Sequence, residues 1–377
     1  PPRLRGMRRA TSAALLCGAL LLAAACGSGV DGAGGDSDGG GGGGTDAASG
    51  IEASLSVVPA TEGASDFVVV NDIATAATAA GVTAPGPGAD DGVLAEYLNT
   101  VSGLRDAPVA VAPAELVQQS AFEDAGWRAE LGWAPVDLTG DVSAGEAPNH
   151  LQAFFADFDA AAVDDAVHTD PTWSDQLEEV TYDGLTYYSW GEDASIDPEG
   201  RSTVRRLGES ARLFVDEDAG LAYWTRTTEL MEQALDTFTG GAPSLADDPE
   251  LGPMAAALDD LAAFGAVPPA AAEQLAGAGE LEPYDAVATG AAVVDGQPRL
   301  LLVYANPDEA TAEANAETLA DLVANGASSA NGRPWSDALG AGEIEVDGTL
   351  VTASFPTEDA RLWNGIFLQR DSLLATR

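Results

Sequence analysis

The chain of 377 residues contains no lysine, so all 16 of its basic residues are arginine. Without lysine there is no Schiff-base nucleophile, no attachment point for pyridoxal phosphate and no phosphate-binding lysine of a Walker loop. Histidine is almost as scarce, with only His150 and His168, so a zinc site would depend on carboxylates. The chain therefore lacks the residues for lysine-based covalent catalysis and for a Walker-type phosphate site.

Cysteine is limited to Cys17 and Cys26. Cys17 lies inside an apolar run, residues 10–25, that we expect to be removed from the mature protein. The remaining body then has no pair of thiols and must fold without disulfides.

The chain has few positive charges relative to negative ones, with 16 arginines and 61 acidic residues. Removal of residues 1–25 leaves 12 arginines against the 61 acids, a formal charge of about −49, which repels nucleic acid. The sequence therefore predicts no nucleic-acid partner. A hydrophobic content of 46% and seven tryptophans indicate a folded body all the same.

The longest hydrophobic run is too short to cross a membrane. Read from Met7, the chain begins MRRATSAALLCGALLLAAAC, with two arginines, an apolar segment and small residues before Cys26. Residues 10–25 fall short of the roughly 20 apolar residues that span a bilayer. We therefore assign residues 1–25 to a predicted signal peptide and expect its translation to start at Met7.

The end of this leader, Leu22 to Cys26, reads LAAAC and resembles the lipobox of bacterial lipoproteins. The family prefers leucine three places before the cysteine, where this chain has Ala23. The resemblance implies that Cys26 becomes the mature N-terminus and carries lipid on its sulfur. A plain secretory leader is the alternative, and Cys17 is a poorer attachment site because Leu15 and Leu16 precede it.

A glycine-rich linker follows Cys26 and extends to residue 50. As a flexible chain its roughly 24 residues would reach some 25–30 Å. Together with the leader it predicts a lipid-anchored body on the outer face of the cytoplasmic membrane, facing the cell wall. The acidic, lysine-free, alanine-rich body resembles uncharacterised lipoproteins of high-GC actinobacteria, which implies a location and no activity.

The body predicts an α+β fold with antiparallel sheets built from β-hairpins and packed helices. Two segments, 150–193 and 299–355, each suggest a strand, a helix and two further strands, which could reflect a duplicated β-α-β-β unit. Asp-Gly pairs at 183–184, 295–296 and 347–348 predict type I′ hairpin turns, and a further turn is expected near 218–220. The Ala-, Gly- and Pro-rich segment 265–283 suggests a boundary between an α+β domain over 51–268 and a smaller one over 283–377. One continuous sheet through both halves is the alternative.

Helices are expected where apolar periodicity lies between capping signals. One is capped by Asn71 or Asp72 and stopped by Gly81, and another opens at 306–308 with Pro307 in its first position. The remaining helices are predicted over 92–102, 112–125, 159–168, 229–238 and 358–374.

One segment concentrates positive charge: RSTVRRLGESAR contains Arg201, Arg205, Arg206 and Arg212. Guanidinium groups bind carboxylates and phosphates through paired hydrogen bonds, so these four residues are the predicted ligand-binding set. The alternative is that they neutralise neighbouring acids and bind nothing.

No motif identifies a reaction. The matches to G-x-S-x-G at 35–39 and to G-x-G-x-x-G at 27–32 fall in the glycine tract, without the flanking strand and helix that those motifs need. Acidic turns such as 216–220 lack the EF-hand spacing. The sequence thus predicts no catalytic residue, no metal site and no cofactor.

The leading functional hypothesis is a non-enzymatic lipoprotein that binds a protein or small ligand in the cell envelope. A substrate-binding component of a transporter is the second, although that class generally uses parallel βαβ units. A carboxylate-based hydrolase is the third.

Overall fold

The computed structural model describes residues 50–65, 67–105, 107–118, 121–146, 149–174, 176–267 and 276–377. The predicted signal peptide, Cys26 and the linker up to residue 49 lie outside these ranges.

Helices and strands alternate along the described chain in short groups. The strands are β1 (Val68–Asp72), β2 (Gly140–Glu146), β3 (Asn149–Phe155), β4 (Leu177–Tyr182), β5 (Leu185–Trp190), β6 (Ala211–Asp216), β7 (Leu221–Thr225), β8 (Gly265–Val267), β9 (Ala276–Leu281), β10 (Ala286–Val294), β11 (Gln297–Ala305), β12 (Glu343–Asp347) and β13 (Leu350–Pro356). The first ten helices are α1 (Ile51–Leu55), α2 (Glu62–Ser65), α3 (Ile73–Ala80), α4 (Asp91–Val101), α5 (Glu115–Gln118), α6 (Asp124–Leu131), α7 (Ala160–Thr169), α8 (Pro171–Ser174), α9 (Thr228–Phe238) and α10 (Leu251–Asp260).

 The last two helices are α11, which covers Glu309–Asn325, and α12, which covers Leu362–Leu368.

Twelve of these strands form one sheet in the order β12-β13-β11-β10-β8-β1-β2-β3-β7-β6-β5-β4. Every neighbouring pair in the sheet is antiparallel. This confirms the predicted α+β fold with antiparallel strands and hairpins. The sequence left open whether the two halves form separate domains or one sheet, and the strands of both halves lie in one sheet.

The strands of the two halves of the chain meet at the pairing of β1 with β8, which places Val70 opposite Ala266. Strand β8 opens the segment that the sequence suggested as a boundary. On each side of this pair comes a hairpin, β2–β3 or β10–β11, then a helix, and then a strand that returns beside the hairpin. The returning strand is β13 in one half and β7 in the other, so the β4–β5 hairpin is an addition at the sheet edge. A common origin of the two β-α-β-β units stays a prediction.

Both faces of the sheet are covered, which makes a three-layer body. Strand β1 shows the alternation: Val68 and Val70 pack in one hydrophobic core and Val69 packs in the other. The Val68 core is completed by helices α1, α9 and α10. The Val69 core contains residues of helices α3, α4, α6, α7, α11 and α12. Alternate side chains of the central strands are therefore buried on both faces.

The hairpin turns follow the glycine positions. Residues Asp183–Gly184 and Asp295–Gly296 all have positive φ, between 45° and 88°, as a type I′ turn requires. The third turn differs, because Asp347 pairs with Leu350 and the two central residues are Gly348–Thr349. Only glycine is left-handed there, with φ 59° at the first central position, which corresponds to type II′.

Capping side chains set the helix starts. The Asp72 carboxylate accepts a hydrogen bond from Thr75 N at 2.8 Å and begins α3, which ends before Gly81 at φ 69°. Asp308 caps α11 in the same way, so Pro307 precedes the cap and does not occupy the first helical position.

Two of the predicted helices are wrong in extent. Residues 112–125 contain α5 and the first two residues of α6, separated by a turn at 121–122. No helix begins at Ala112, because its C=O accepts a hydrogen bond from the Asn71 side chain and its N–H donates to that side chain. The helix predicted over 358–374 is reduced to α12. Arg370 follows it with a φ of 50°, a left-handed conformation that stops helical pairing.

Both edge strands carry acidic side chains. At one edge β12 exposes Glu343, Glu345 and Asp347, and at the other β4 exposes Glu178 and Glu179. Charges on an edge strand oppose pairing with another chain.

Candidate functional site

The four arginines that the sequence singled out have different environments. Arg201 is exposed, and Arg206 forms an ion pair with Glu123. Arg205 and Arg212 are buried, at 0% and 3% exposure. Their guanidinium groups therefore need partners inside the protein.

Arg205 lies between two tryptophan rings. Its Cζ is 3.7 Å from the ring centroid of Trp190 and 4.6 Å from that of Trp173, a double cation–π contact. Its Nη2 donates to the carbonyl oxygen of Thr172 at 2.7 Å, whereas Nε and Nη1 have no hydrogen-bond partner. Burial lowers the pKa of Arg205 to about 10, and the charge of Glu130 opposes that shift. The residue holds its loop against the core by stacking.

Arg212 uses every donor it has on the protein. A guanidinium group carries five N–H bonds, and five oxygen atoms of the chain accept from them at 2.5–3.1 Å. These acceptors are the carbonyls of Trp190, Gly191 and Ala211, the hydroxyl of Thr228 and the carboxylate of Asp193. Arg212 therefore has no donor left for a ligand, and it holds strands β5 and β6, the turn after β5 and helix α9 together by hydrogen bonds.

The two buried arginines do not meet. Arg205 packs on Trp173 and Trp190, which belong to the Val69 core. Arg212 alternates along β6 with Leu213 of that same core, so its side chain projects from the opposite face of the sheet. The four arginines do not form one anion-binding cluster, and ligand binding by the set stays a prediction.

Arg212 does, however, form part of the wall of a cavity of about 610 Å³. The floor is the face of strands β4, β5 and β6, where the register places Glu178 opposite Ser189 and Ser189 opposite Arg212. Such cross-strand neighbours lie about 5 Å apart. The adjacent row pairs Val180 with Tyr187.

Helix α9 and the turn after β5 form the sides of this cavity, which we call the glutamate cavity. Thr228 and Glu232 are four residues apart in α9 and so share one helix face. Glu192 closes the other side from the turn. Asp193 fixes both sides, because its Oδ1 accepts from Thr228 N at 3.0 Å and from Arg212 Nη2 at 2.5 Å. The wall is thus held by hydrogen bonds that join β6, the turn and α9.

The charge of the glutamate cavity is negative. Asp193 offsets Arg212, whereas the carboxylates of Glu178, Glu192 and Glu232 have no ion-pair partner among the described residues. Tyr187 lies on the floor at 1% exposure, and its hydroxyl makes no hydrogen bond of normal geometry. Burial raises the pKa of Tyr187, and the nearby charge of Glu232 adds to the rise. The phenol therefore stays protonated.

The two histidines have separate surroundings. Burial lowers the pKa of His150 to about 4, and its Nδ1 lies 3.3 Å from Gln152 Nε2. His168 is in the last turn of α7, where its Nδ1 contacts the Asp164 carbonyl at 2.8 Å and its Nε2 contacts Glu179 at 3.2 Å. The Asp164 carbonyl and carboxylate and Glu179 raise the pKa of His168. The side chain of His168 is 41% exposed.

A buried acid escaped the sequence analysis. Asp141 on β2 is 0% exposed, accepts from Asn71 Nδ2 at 2.9 Å through Oδ1, and has no partner at Oδ2. Burial raises its pKa to about 7. The one available signal was its place in a strand that alternates Asp141, Val142, Ser143 and Ala144, which is equally typical of a strand with one solvent-exposed face.

The described part of the chain shows neither a cluster of metal ligands nor a membrane-spanning helix. There, no group of three or more His, Cys, Asp or Glu side chains is placed to hold a metal ion. Within the same ranges, none of the helices combines the length and hydrophobicity that crossing a bilayer requires. The predicted lipid attachment site, Cys26, lies outside the described residues.

Comparison with known proteins assigns no family. No protein-family model matches the chain, and no curated protein matches it. Three crystal forms of TP0453 are similar in structure, with TM-scores of 0.37, 0.39 and 0.40 and sequence identities of 11%, 10% and 12%. They cover 83–84% of this chain and 95–97% of TP0453. A likeness at this level carries no conclusion about function.

Proposed function

We propose that the chain is a lipid-anchored, non-enzymatic binding protein of the cell envelope, which takes a small ligand in the glutamate cavity. The location rests on the leader and on Cys26. The binding role rests on one observation: a cavity of about 610 Å³ whose walls are fixed in place by the Arg212 and Asp193 hydrogen bonds. Cavities of roughly 300–1,000 Å³ are typical of small-molecule sites.

The hydrolase alternative would require a suitable acid in the glutamate cavity. General acid catalysis by a carboxyl group needs a raised pKa at a position that faces substrate. Burial raises the pKa of Glu130, Asp141 and Glu250, and none of these three lines the glutamate cavity. The hydrolase alternative therefore gains nothing from this site.

The transporter alternative also gains no support from the fold. Substrate-binding components generally have two lobes of parallel βαβ units with a cleft between them. Here the strands of both halves join one antiparallel sheet, and the glutamate cavity lies near one end of it, over β4, β5 and β6.

The anchoring part is tested by replacing the predicted acylated residue in the full chain, expressed in an actinobacterial host. We expect Cys26→Ser to release the protein from the membrane fraction and to abolish incorporation of labelled palmitate. Cys17→Ser is the matched control, because it removes a thiol from the leader without touching the lipobox. A Cys26→Ser protein that stays in the membrane fraction like the Cys17→Ser control would refute the anchor.

A further inference from the structure

We infer that the glutamate cavity binds an organic cation with two spaced ammonium groups, such as a linear diamine. This inference rests on the proposed binding function and specifies its ligand class. It depends on the charge of the wall, on a buried hydroxyl at the floor that has no hydrogen bond, and on carboxylates that come from three separate elements.

The charged groups of the wall are mainly acceptors. Glu178 and Glu192 are exposed and Glu232 is half-buried, and all three face the same space. The one positive group, Arg212, spends its five N–H bonds on protein oxygens and pairs with Asp193. An anion would meet three carboxylates and no free donor of Arg212, whereas an ammonium group would find charge-assisted acceptors.

The floor adds an independent requirement for a ligand. Tyr187 is buried, and a buried hydroxyl without a hydrogen bond costs free energy. The neighbouring hydroxyl of Thr228 already donates to Asp193 at 2.9 Å and accepts from Arg212 at 3.1 Å. A ligand N–H at the floor could give the phenol oxygen a donor.

The placement of the carboxylates on three separate elements favours an organic cation over a metal ion. Glu178, Glu192 and Glu232 come from a strand, a turn and a helix, and they are not placed to hold one metal ion together. Ca²⁺ needs six to eight oxygen ligands at about 2.3–2.6 Å. Separate carboxylates around a volume of about 610 Å³ suit separate positive groups on one extended molecule.

The test is calorimetric titration of the full chain, solubilised in mild detergent, with 1,5-diaminopentane at 20 mM and 150 mM salt. Two probes of similar length are run in parallel: 1,5-pentanediol, which is neutral, and glutarate, which is anionic. We expect saturable binding of the diamine, weakened by salt because exposed carboxylates are screened, and no binding of the other two.

Three variants locate the binding. Glu232→Gln should weaken the diamine about tenfold, the effect of losing one charge-assisted contact. Tyr187→Phe keeps the ring and should weaken binding about threefold, as expected for one neutral hydrogen bond. Glu345→Gln on the distant edge strand β12 removes the same charge and should leave the affinity unchanged.

The outcomes separate this inference from the function on which it rests. Equal losses in Glu232→Gln and Glu345→Gln would mean that diamines bind the acidic surface at large, which overturns the inference. Saturable binding of glutarate or pentanediol in place of the diamine would overturn the cation class while the small-ligand function stands. No saturable binding of any probe, in a protein whose near-UV circular dichroism shows native packing, would also overturn the inference.

Discussion

The buried Asp141 predicts an unusual dependence of stability on pH. Burial holds the pKa of this carboxyl at about 7 in the folded protein, against 3.8 for the free side chain. Between these values the folded state keeps a proton that the unfolded chain has released. Asp141 therefore favours folding most below pH 3.8, and this contribution is lost as the pH rises through 7.

The size of the effect follows from the two pKa values. A difference of about 3 corresponds to about 4 kcal/mol of stability lost between pH 4 and pH 8. The Asn71 amide donates to only one oxygen of the carboxylate, so the second oxygen is left without a hydrogen bond when it ionises. Asparagine has the shape of the protonated acid and cannot ionise.

We therefore expect Asp141→Asn to match the wild type near pH 4 and to exceed its stability at pH 8 by up to about 4 kcal/mol. Urea denaturation followed by tryptophan fluorescence at one-unit pH steps measures the difference. Asp347→Asn, at the exposed last residue of β12, is the control for removal of one negative charge from an acidic protein. Wild-type and Asp141→Asn curves that run parallel from pH 4 to pH 8 would refute the reasoning.

Two further predictions concern the arginine loop and the turns. Arg205→Ala should lower the free energy of unfolding by about 3 kcal/mol, because it empties the space between two tryptophans. Arg206→Ala breaks an exposed ion pair and should cost under about 1 kcal/mol. Urea unfolding compares the two variants, and equal losses of stability would contradict the stacking role of Arg205. Gly208→Ala should cost more than about 2 kcal/mol because the added Cβ would lie 1.7 Å from Asp197 O at φ 71°. Gly348→Ala, at φ 59° in open space, should cost only about 1 kcal/mol in thermal unfolding, and a reversed order would show that the clash is relieved.

The parts of the fold that the sequence predicts are those specified by neighbouring residues. Asp-Gly pairs fix the hairpins, and Asp72 and Gly81 fix the ends of α3, because turns and caps depend on backbone conformations that few residues adopt. The pairing of β1 with β8 joins residues almost 200 positions apart, and no local pattern specifies it. The predicted helix start at residue 112 was wrong for the same reason. A distant side chain, that of Asn71, forms hydrogen bonds with both the N–H and the C=O of Ala112.

The site was predictable only in part. The composition drew attention to Arg212, yet the carbonyl groups of Trp190 and Gly191 that occupy its donors come from another strand and its turn. Glu232 and Tyr187 gave no signal of their own, because acids are frequent in this chain and aromatics alternate in any strand. Only the register of β4, β5 and β6 brings these side chains to one cavity.

The acidic side chains of the two outermost strands have a consequence for handling the protein. The ladder groups on the free side of β12 and β4 are kept from other molecules by ionised Glu and Asp side chains. Acidification lowers the net negative charge of a chain that has 61 acidic residues, and the repulsion between molecules falls. We then expect molecules to join end to end through their sheets into ribbons, which thioflavin fluorescence and light scattering would detect, and which neutral pH would keep in solution as single particles.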